Sequence, residues 1–96
     1  MRALFARCKN FNEDISAWDV RRAESLSYMF NSASSFNQPL GAWDFRRAAD
    51  LSGMFWYVSS FNQPLGAGAV RPGADTSRMF VGATAFDRAT NAPRYT

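Results

Sequence analysis

The residues of this chain that could bind or react are arginines, scattered carboxylates and one thiol. Lys9 is the single lysine among eleven Lys+Arg, eight residues are Asp or Glu, Cys8 is the single cysteine, and histidine is absent. Without imidazole there is no His–carboxylate relay and no His-ligated metal, and one cysteine cannot close an intrachain disulfide. Glu13-Asp14 is an adjacent carboxylate pair, but the matching positions hold Gln38-Pro39 and Gln63-Pro64, which excludes a repeated calcium site and reads as solvated surface. Phosphate-cradling glycine loops and Asn-x-Ser/Thr sequons are missing. These absences point away from an enzyme and from any cofactor. What remains is Arg21, Arg22, Arg46, Arg47 and Arg71. Guanidinium forks match carboxylate and sulfate, so a row of them could dock an acidic protein or a sulfated glycan. The competing reading is a solvated edge whose charge is offset by Glu24, Asp50 and Asp75 reaching back. Trp56-Tyr57 is the second binding candidate, because exposed aromatics are enriched at binding hot spots.

What positions these residues is an internal repeat. Met29-Phe30, Met54-Phe55 and Met79-Phe80 recur every 25 residues, with Leu4-Phe5 as the first copy. Phe11-Asn12, Phe36-Asn37 and Phe61-Asn62 keep the same interval, with Phe86-Asp87 fourth. The register also joins Trp18 to Trp43, Asp19 to Asp44, Val20 to Phe45 and Val70, and Arg21 to Arg46 and Arg71. Residues 35–42 recur unchanged at 60–67. Trp56-Tyr57 stands where other copies have Asn31-Ser32 and Val81-Gly82, outside the periodic core.

A period of 25 residues is too short for helical-hairpin repeats, which take about 33–47, and fits leucine-rich coils of about 20–29. The expected fold is therefore an α/β solenoid, a leucine-rich-repeat-like right-handed coil of about four turns near 1–25, 26–50, 51–75 and 76–96. A helical-hairpin array is the rival. Each turn is expected to hold a short strand and a short helical or 3₁₀ segment. Ser27, Ser52 and Ser77 read as N-caps of helical turns at 27–34, 52–59 and 77–84, and 15–20 with its copies as strand-like. Proline after Phe-Asn-Gln keeps that stretch extended. Stacking the turns makes each column a buried stripe. Phe5, Phe30, Phe55 and Phe80 form one, and Phe11, Phe36, Phe61 and Phe86 another. Met29, Met54 and Met79 form a third, and Trp18 and Trp43 a fourth. Cys8 falls in the small-residue column of Ala33, Val58 and Ala83 and is expected to be buried. Asn12, Asn37 and Asn62 are expected to be a buried structural column that satisfies loop backbone.

The segments Ile15-Ser16-Ala17-Trp18-Asp19-Val20, Leu26-Ser27-Tyr28-Met29-Phe30 and Phe36-Asn37-Gln38-Pro39-Leu40 resemble a known repeat. It is the "W-D-V-S … M-S-x-M-F-x-x-A-x-x-F-N-Q" repeat of the BspA-like leucine-rich-repeat surface proteins, a group first catalogued in mycoplasmas as proteins of unknown function. The resemblance runs from Leu4 to about Arg88. It implies a leucine-rich-repeat-like solenoid, display at the cell surface or secretion, and adhesion or protein binding. This chain departs from the pattern where Arg21-Arg22, Arg46-Arg47 and Arg71-Pro72 replace Ser-Asn, where Gly68-Ala69 replace Trp-Asp, and beyond Phe86.

Composition agrees with a single small domain. The chain has 96 residues, 47% hydrophobic and 16% aromatic, with a formal charge of +3. That apolar content exceeds what disordered segments carry. The mild charge, interleaved with carboxylates, does not resemble a nucleic-acid footprint, and no apolar run approaches the ~18 residues of a membrane span. Neither end reads as the polar cap that solenoids require, so a fragment of a longer array, or self-association through open ends, is expected. The functional expectation is a non-catalytic tandem-repeat module for protein–protein interaction or adhesion. The alternative is an architectural or self-assembling spacer.

Overall fold

Along the first three copies of the Met-Phe segment, every second backbone N–H leaves the segment for the next copy of the repeat. In the computed structural model, which describes residues 1–65, 69–91 and 94–95, Tyr28, Phe30 and Ser32 N–H donate to the Ser52, Met54 and Trp56 carbonyls at 2.9, 3.0 and 2.7 Å. Gly53, Phe55 and Tyr57 donate to Ser77, Met79 and Val81 at 2.9, 2.9 and 2.8 Å, and Ala3, Phe5 and Arg7 to Ser27, Met29 and Asn31 at 2.9, 2.8 and 2.7 Å. The intervening amides close tight turns, with Asn31 N–H on the Tyr28 carbonyl at 3.1 Å and Ala33 N–H on Phe30 at 2.9 Å. Copies of the repeat thus lie against one another as rungs.

Two left-handed residues per rung accompany this alternation. Ala3, Tyr28, Gly53 and Arg78 occupy one position, and Arg7, Ser32, Tyr57 and Gly82 the other, all with φ between 56° and 74°. A residue with a side chain disfavours this region by about 1–2 kcal/mol.

The helical turns expected at 27–34, 52–59 and 77–84 are runs of tight turns instead. A helix needs each N–H for its own ladder, whereas here half of the donors are drawn to the neighbouring rung. The serines therefore cap nothing. Ser52 Oγ donates to Asp50 Oδ1 at 2.6 Å, Ser77 Oγ to Asp75 Oδ1 at 2.5 Å, and Ser27 Oγ lies 3.1 Å from Ser25 Oγ. The strand expected at 15–20 is likewise absent, because Trp18 N–H turns back to the Ile15 carbonyl at 3.0 Å, as Trp43 does to Leu40 at 3.0 Å. Regular pairing joins β1 (Ala69–Val70) in parallel to β2 (Arg94–Tyr95), with Ala69 opposite Arg94 and Val70 opposite Tyr95. Isolated parallel bridges link Ser25 to Asp50 and Asp50 to Asp75. A single helical turn, α1 (Arg88–Asn91), follows the last Phe.

Aromatic columns fill the interior. Phe30 stacks on Phe55 at 5.5 Å between centroids, Phe55 on Phe80 at 5.8 Å and Phe5 on Phe30 at 5.8 Å. The second column runs Phe11–Phe36 at 5.6 Å, Phe36–Phe61 at 5.9 Å and Phe61–Phe86 at 5.7 Å. Within a rung the two columns meet at 4.3 Å (Phe30–Phe36) and 4.4 Å (Phe55–Phe61). Met29, Met54, Phe30, Phe36, Phe55 and Phe61 are wholly buried, and Trp43 nearly so, its Nε1–H donating to the Ile15 carbonyl at 3.1 Å. Each such side chain contributes about 1.5–3 kcal/mol of transfer free energy. Met79, Phe80 and Phe86 in the last rung are also buried.

The first rung breaks the column rule. Cys8 is exposed, although Ala33, Val58 and Ala83 in its column are buried. Trp18 is 41% exposed where Trp43 is buried, and Phe5 and Phe11 are only half-buried. Among the described residues nothing stacks on the outer side of this rung. The Asn column also differs from expectation, since Asn12, Asn37 and Asn62 are exposed. Their Oδ1 atoms accept the N–H of Asn37, Asn62 and Asp87, each at 2.9 Å. Gln38 Nε2 adds a bond to the Asn12 carbonyl at 2.9 Å and Asn91 Nδ2 one to Asn62 Oδ1 at 2.8 Å. The ladder stitches the rungs at their rim, where water reaches it, rather than within the core. Of the expected features, Ala67 and Gly68 and the final residues 92, 93 and 96 lie outside the described residues.

Candidate functional site

The arginine face is built on two Asx turns. Asp19 Oδ1 accepts the Arg21 N–H and Asp44 Oδ1 the Arg46 N–H, each at 3.0 Å, which is how Asp side chains reinforce turns. Each carboxylate so held is gripped by the guanidinium two residues on. Arg21 contacts Asp19 through Nε and Nη2, both at 2.9 Å. Arg46 contacts Asp44 through Nε at 3.0 Å and Nη2 at 2.7 Å. The compensating carboxylates expected from the sequence are not the ones used. Asp50 and Asp75 are occupied by the N–H and Oγ of Ser52 and Ser77, because those serines are nearer in the same bend.

The arginine column therefore divides. Arg21 and Arg46 are paired, while Arg22, Arg47 and Arg71 have no carboxylate partner among the described residues. Arg71 lacks one because Ala69 stands where its equivalents have Asp19 and Asp44. A shallow groove of about 460 Å³ is lined by Arg22, Arg46, Arg47, Arg71, Glu24 and Ala49. A second hollow beside it is lined by Arg21, Arg22 and Arg47. Glu24 is the sole carboxylate in either lining, so three rungs present their cations to one surface. Such a site can hold an anion by several charge-assisted bonds. It offers no ligand set for a metal, and no cluster of three acidic or Cys side chains able to hold one occurs among the described residues.

The ion pairs also set the titration of the face. The Arg46 guanidinium bond, helped by the Arg46 N–H, pulls the Asp44 carboxyl down to about 2, and Arg21 lowers Asp19 in the same way. A carboxyl held below its unfolded value stabilises the fold above the ordinary carboxylate range, and that contribution disappears as pH falls toward the folded pKa. Carbon-13 titration of Asp44 is expected to give a midpoint of about 2, and Arg46→Ala to raise it toward 3.8 without reaching it, because the residue 46 N–H still donates to the carboxylate. A midpoint unmoved by that substitution would show that the backbone N–H, and not the guanidinium, holds the charge.

The aromatic candidates separate in a similar way. Trp56 is half-buried between the Tyr28 ring at 6.0 Å and the Arg78 guanidinium at 5.7 Å. Its Nε1–H is buried with no acceptor among the described residues. Tyr57 stacks on Trp56 at 5.5 Å, is 53% exposed, and lies over Gly82. Arg2 sits over Tyr28 at 5.7 Å, which completes a strip of Arg2, Tyr28, Trp56 and Arg78. Trp56 is thus wall, and Tyr57 is the ring offered to solvent. Sequence reading missed Arg2 and Arg78 as its partners. The signal available was a Tyr one repeat before a Gly, at Tyr28 and Gly53 and again at Tyr57 and Gly82.

The chain matches, over residues 1–92, the family model described as "Mycoplasma protein of unknown function, DUF285". No curated protein and no solved structure matches it.

Proposed function

We propose, for a chain that belongs to this mycoplasma family of unknown function, a non-catalytic binding module whose arginine groove takes a polyanionic partner bearing sulfate or carboxylate groups. In this reading the rungs form a leucine-rich-repeat-like right-handed solenoid of the BspA-like kind, displayed at a cell surface and serving adhesion or protein binding. The 25-residue register of the hydrogen bonds and stacked rings supports the architecture. The convergence of the unpaired Arg22, Arg47 and Arg71 on one groove carries the functional part. Glu24 is the one carboxylate in the groove against these three cations, and Asp19, Asp44, Asp50 and Asp75 are already engaged by Arg21, Arg46 and the serines, so the groove keeps a surplus of positive charge for a ligand. A histidine-free chain also lacks the usual general base.

The test replaces Arg22, Arg47 and Arg71 together by Ser. Retention on immobilised heparin and on an acidic polypeptide is measured against the Arg21→Ser, Arg46→Ser double variant. The triple variant is expected to lose retention while its melting temperature stays near wild type, because exposed unpaired charges contribute little to stability. The double variant is expected to retain more, since its arginines are already committed to carboxylates. Preference for heparin over polyglutamate assigns the partner to sulfated glycans, and the reverse assigns it to acidic proteins. Equal retention by wild type and triple variant would remove the groove from the function.

A further inference from the structure

The rung of Arg22 differs from the two that follow it at one pair of positions. Residues 24 and 25 are Glu-Ser, whereas the equivalent pairs are Ala49-Asp50 and Ala74-Asp75. The acid stands one residue earlier, and its surroundings change with it. Asp50 Oδ1 and Asp75 Oδ1 accept the N–H two residues on, from Ser52 and Ser77, each at 2.9 Å, and the hydroxyl of the same serine. In the Arg22 rung Ser25 Oγ takes that place and accepts the Ser27 N–H at 3.3 Å. The turn therefore has its acceptor without Glu24. The Glu24 carboxylate joins no hydrogen bond and no ion pair among the described residues, and Glu24 lines the groove beside Ala49.

The three free cations of the groove are thus not equivalent. Arg47 and Arg71 belong to rungs whose acid is held in a turn, outside the lining. Arg22 has an uncommitted carboxylate two residues away in the same lining. An anion placed over Arg22 meets Glu24 as well, and the like charge offsets the attraction of the guanidinium. A hydroxyl at that place donates to Glu24 and keeps the carboxylate hydrogen-bonded when a ligand displaces its water. Ionised acidic side chains only accept, so an acidic peptide brings further acceptors to this rung. A sugar chain that is sulfated at some positions brings anions and hydroxyl donors together.

We infer that Glu24 is the specificity-determining residue of the groove, which rests on the groove binding polyanions, and that it selects a partly sulfated glycan. The anionic groups of that glycan lie over Arg47 and Arg71, and a free hydroxyl lies over Arg22 and Glu24. Adjacent rungs are roughly 5 Å apart, so one short stretch of sugar chain supplies all three contacts. A glycan sulfated at every position is disfavoured, because it sets an anion on the Glu24 rung. The bound chain also has a fixed direction, since of these three rungs only that of Arg22 carries an acid in the lining.

The exchange Glu24→Ala with Ser25→Asp tests it, because it gives the Arg22 rung the residue pair of its neighbours at unchanged net charge. A change in retention then reports the place of the acid and not the charge of the protein. Retention is read as the salt needed for elution from immobilised heparin and from the same heparin partly desulfated. Wild type is expected to leave both at nearly the same salt. The exchange variant is expected to leave heparin later, with an affinity raised about two- to fivefold, the range of one exposed charge contact. Arg22→Ser is expected to weaken wild type little and the exchange variant clearly, while Arg47→Ser weakens both alike. Thermal melts show whether the exchange variant folds. Should it not, Glu24→Gln takes its place, with Glu13→Gln, an exposed carboxylate outside the groove, as the charge-matched control. Equal elution of wild type and folded variant from heparin, or an equal loss on Arg22→Ser in both, would overturn the role of Glu24 and leave the groove a polyanion site. Wild type leaving partly desulfated heparin far earlier, or held as firmly by polyglutamate, would overturn the choice of glycan. Wild type held no better than the triple arginine variant would remove the groove itself, and the role of Glu24 with it.

Discussion

Phe55→Ala is expected to lower the unfolding free energy by about 3–5 kcal/mol, the range for truncating a large buried aromatic. Phe55 has no exposed surface and touches three rings, Phe30 at 5.5 Å, Phe80 at 5.8 Å and Phe61 at 4.4 Å. Removing it leaves a void between two rungs and weakens their contact at the middle of the stack. Stability in stacked repeats is close to a sum of rung terms and nearest-neighbour interfaces. A central loss therefore affects both neighbours. Phe5→Ala is the comparison, because the same residue type in the same column stacks on one rung only and is half-buried. It is expected to cost about 1–2 kcal/mol, in proportion to the smaller area removed from water. Urea denaturation of both variants measures the difference. Equal losses at the two positions would mean that the columns do not carry the stability.

Gly53→Ala is the second large effect, and it arises from backbone rather than burial. Gly53 sits at φ 61°, and a Cβ built there would fall 2.3 Å from Cε1 of the Tyr28 ring. Two costs add. The left-handed conformation disfavours alanine by about 1–2 kcal/mol, and forcing a methyl into packed space costs about 1–3 kcal/mol. The Tyr28 ring cannot retreat freely, because Trp56 lies 6.0 Å away on one side and Arg2 at 5.7 Å on another. A double-mutant cycle separates the costs. In a Tyr28→Ala background the steric part vanishes and only the conformational part remains, so Gly53→Ala is expected to be markedly less damaging there. If the penalty is the same in both backgrounds, the ring does not constrain the glycine. Gly82, at φ 74° under the Tyr57 ring, follows the same logic.

The sequence was most informative about register and least informative about local conformation. Residues 25 apart meet throughout, from the Phe columns to the Asn ladder and the pairing of Val70 with Tyr95. That periodicity is legible because identical side chains at a fixed interval pack best against their own copies. The helical spacing of Met29, Phe30 and Ala33, with Ser27 as a candidate cap, predicts a helical turn at 27–34. The same spacing serves a chain of tight turns with left-handed residues at Tyr28 and Ser32. Side-chain period alone does not say whether an N–H bonds within its segment or across to the next, and here the neighbouring rung took every second one.

The candidate site divides along the same line. Five arginines at matching positions were readable from the chain, and so was the absence of histidine chemistry. Which of them are free depended on bends that bring Asp19 to Arg21, Asp44 to Arg46, and Asp50 and Asp75 to their serines. Cys8 and Trp18 show the limit in another form, because a column predicts burial only where the rung is covered: among the described residues the first rung is bare on its outer side, whereas Phe80 in the last is buried beneath the Arg88 guanidinium at 5.7 Å.

Side-chain identity at a fixed interval thus determined which residues are neighbours, since that depends on matching shapes. Which arginines remain unpaired was decided by the tertiary structure alone. Hydrogen bonds and ion pairs are directional and close-ranged, and the direction of each donor is set only once the backbone has turned.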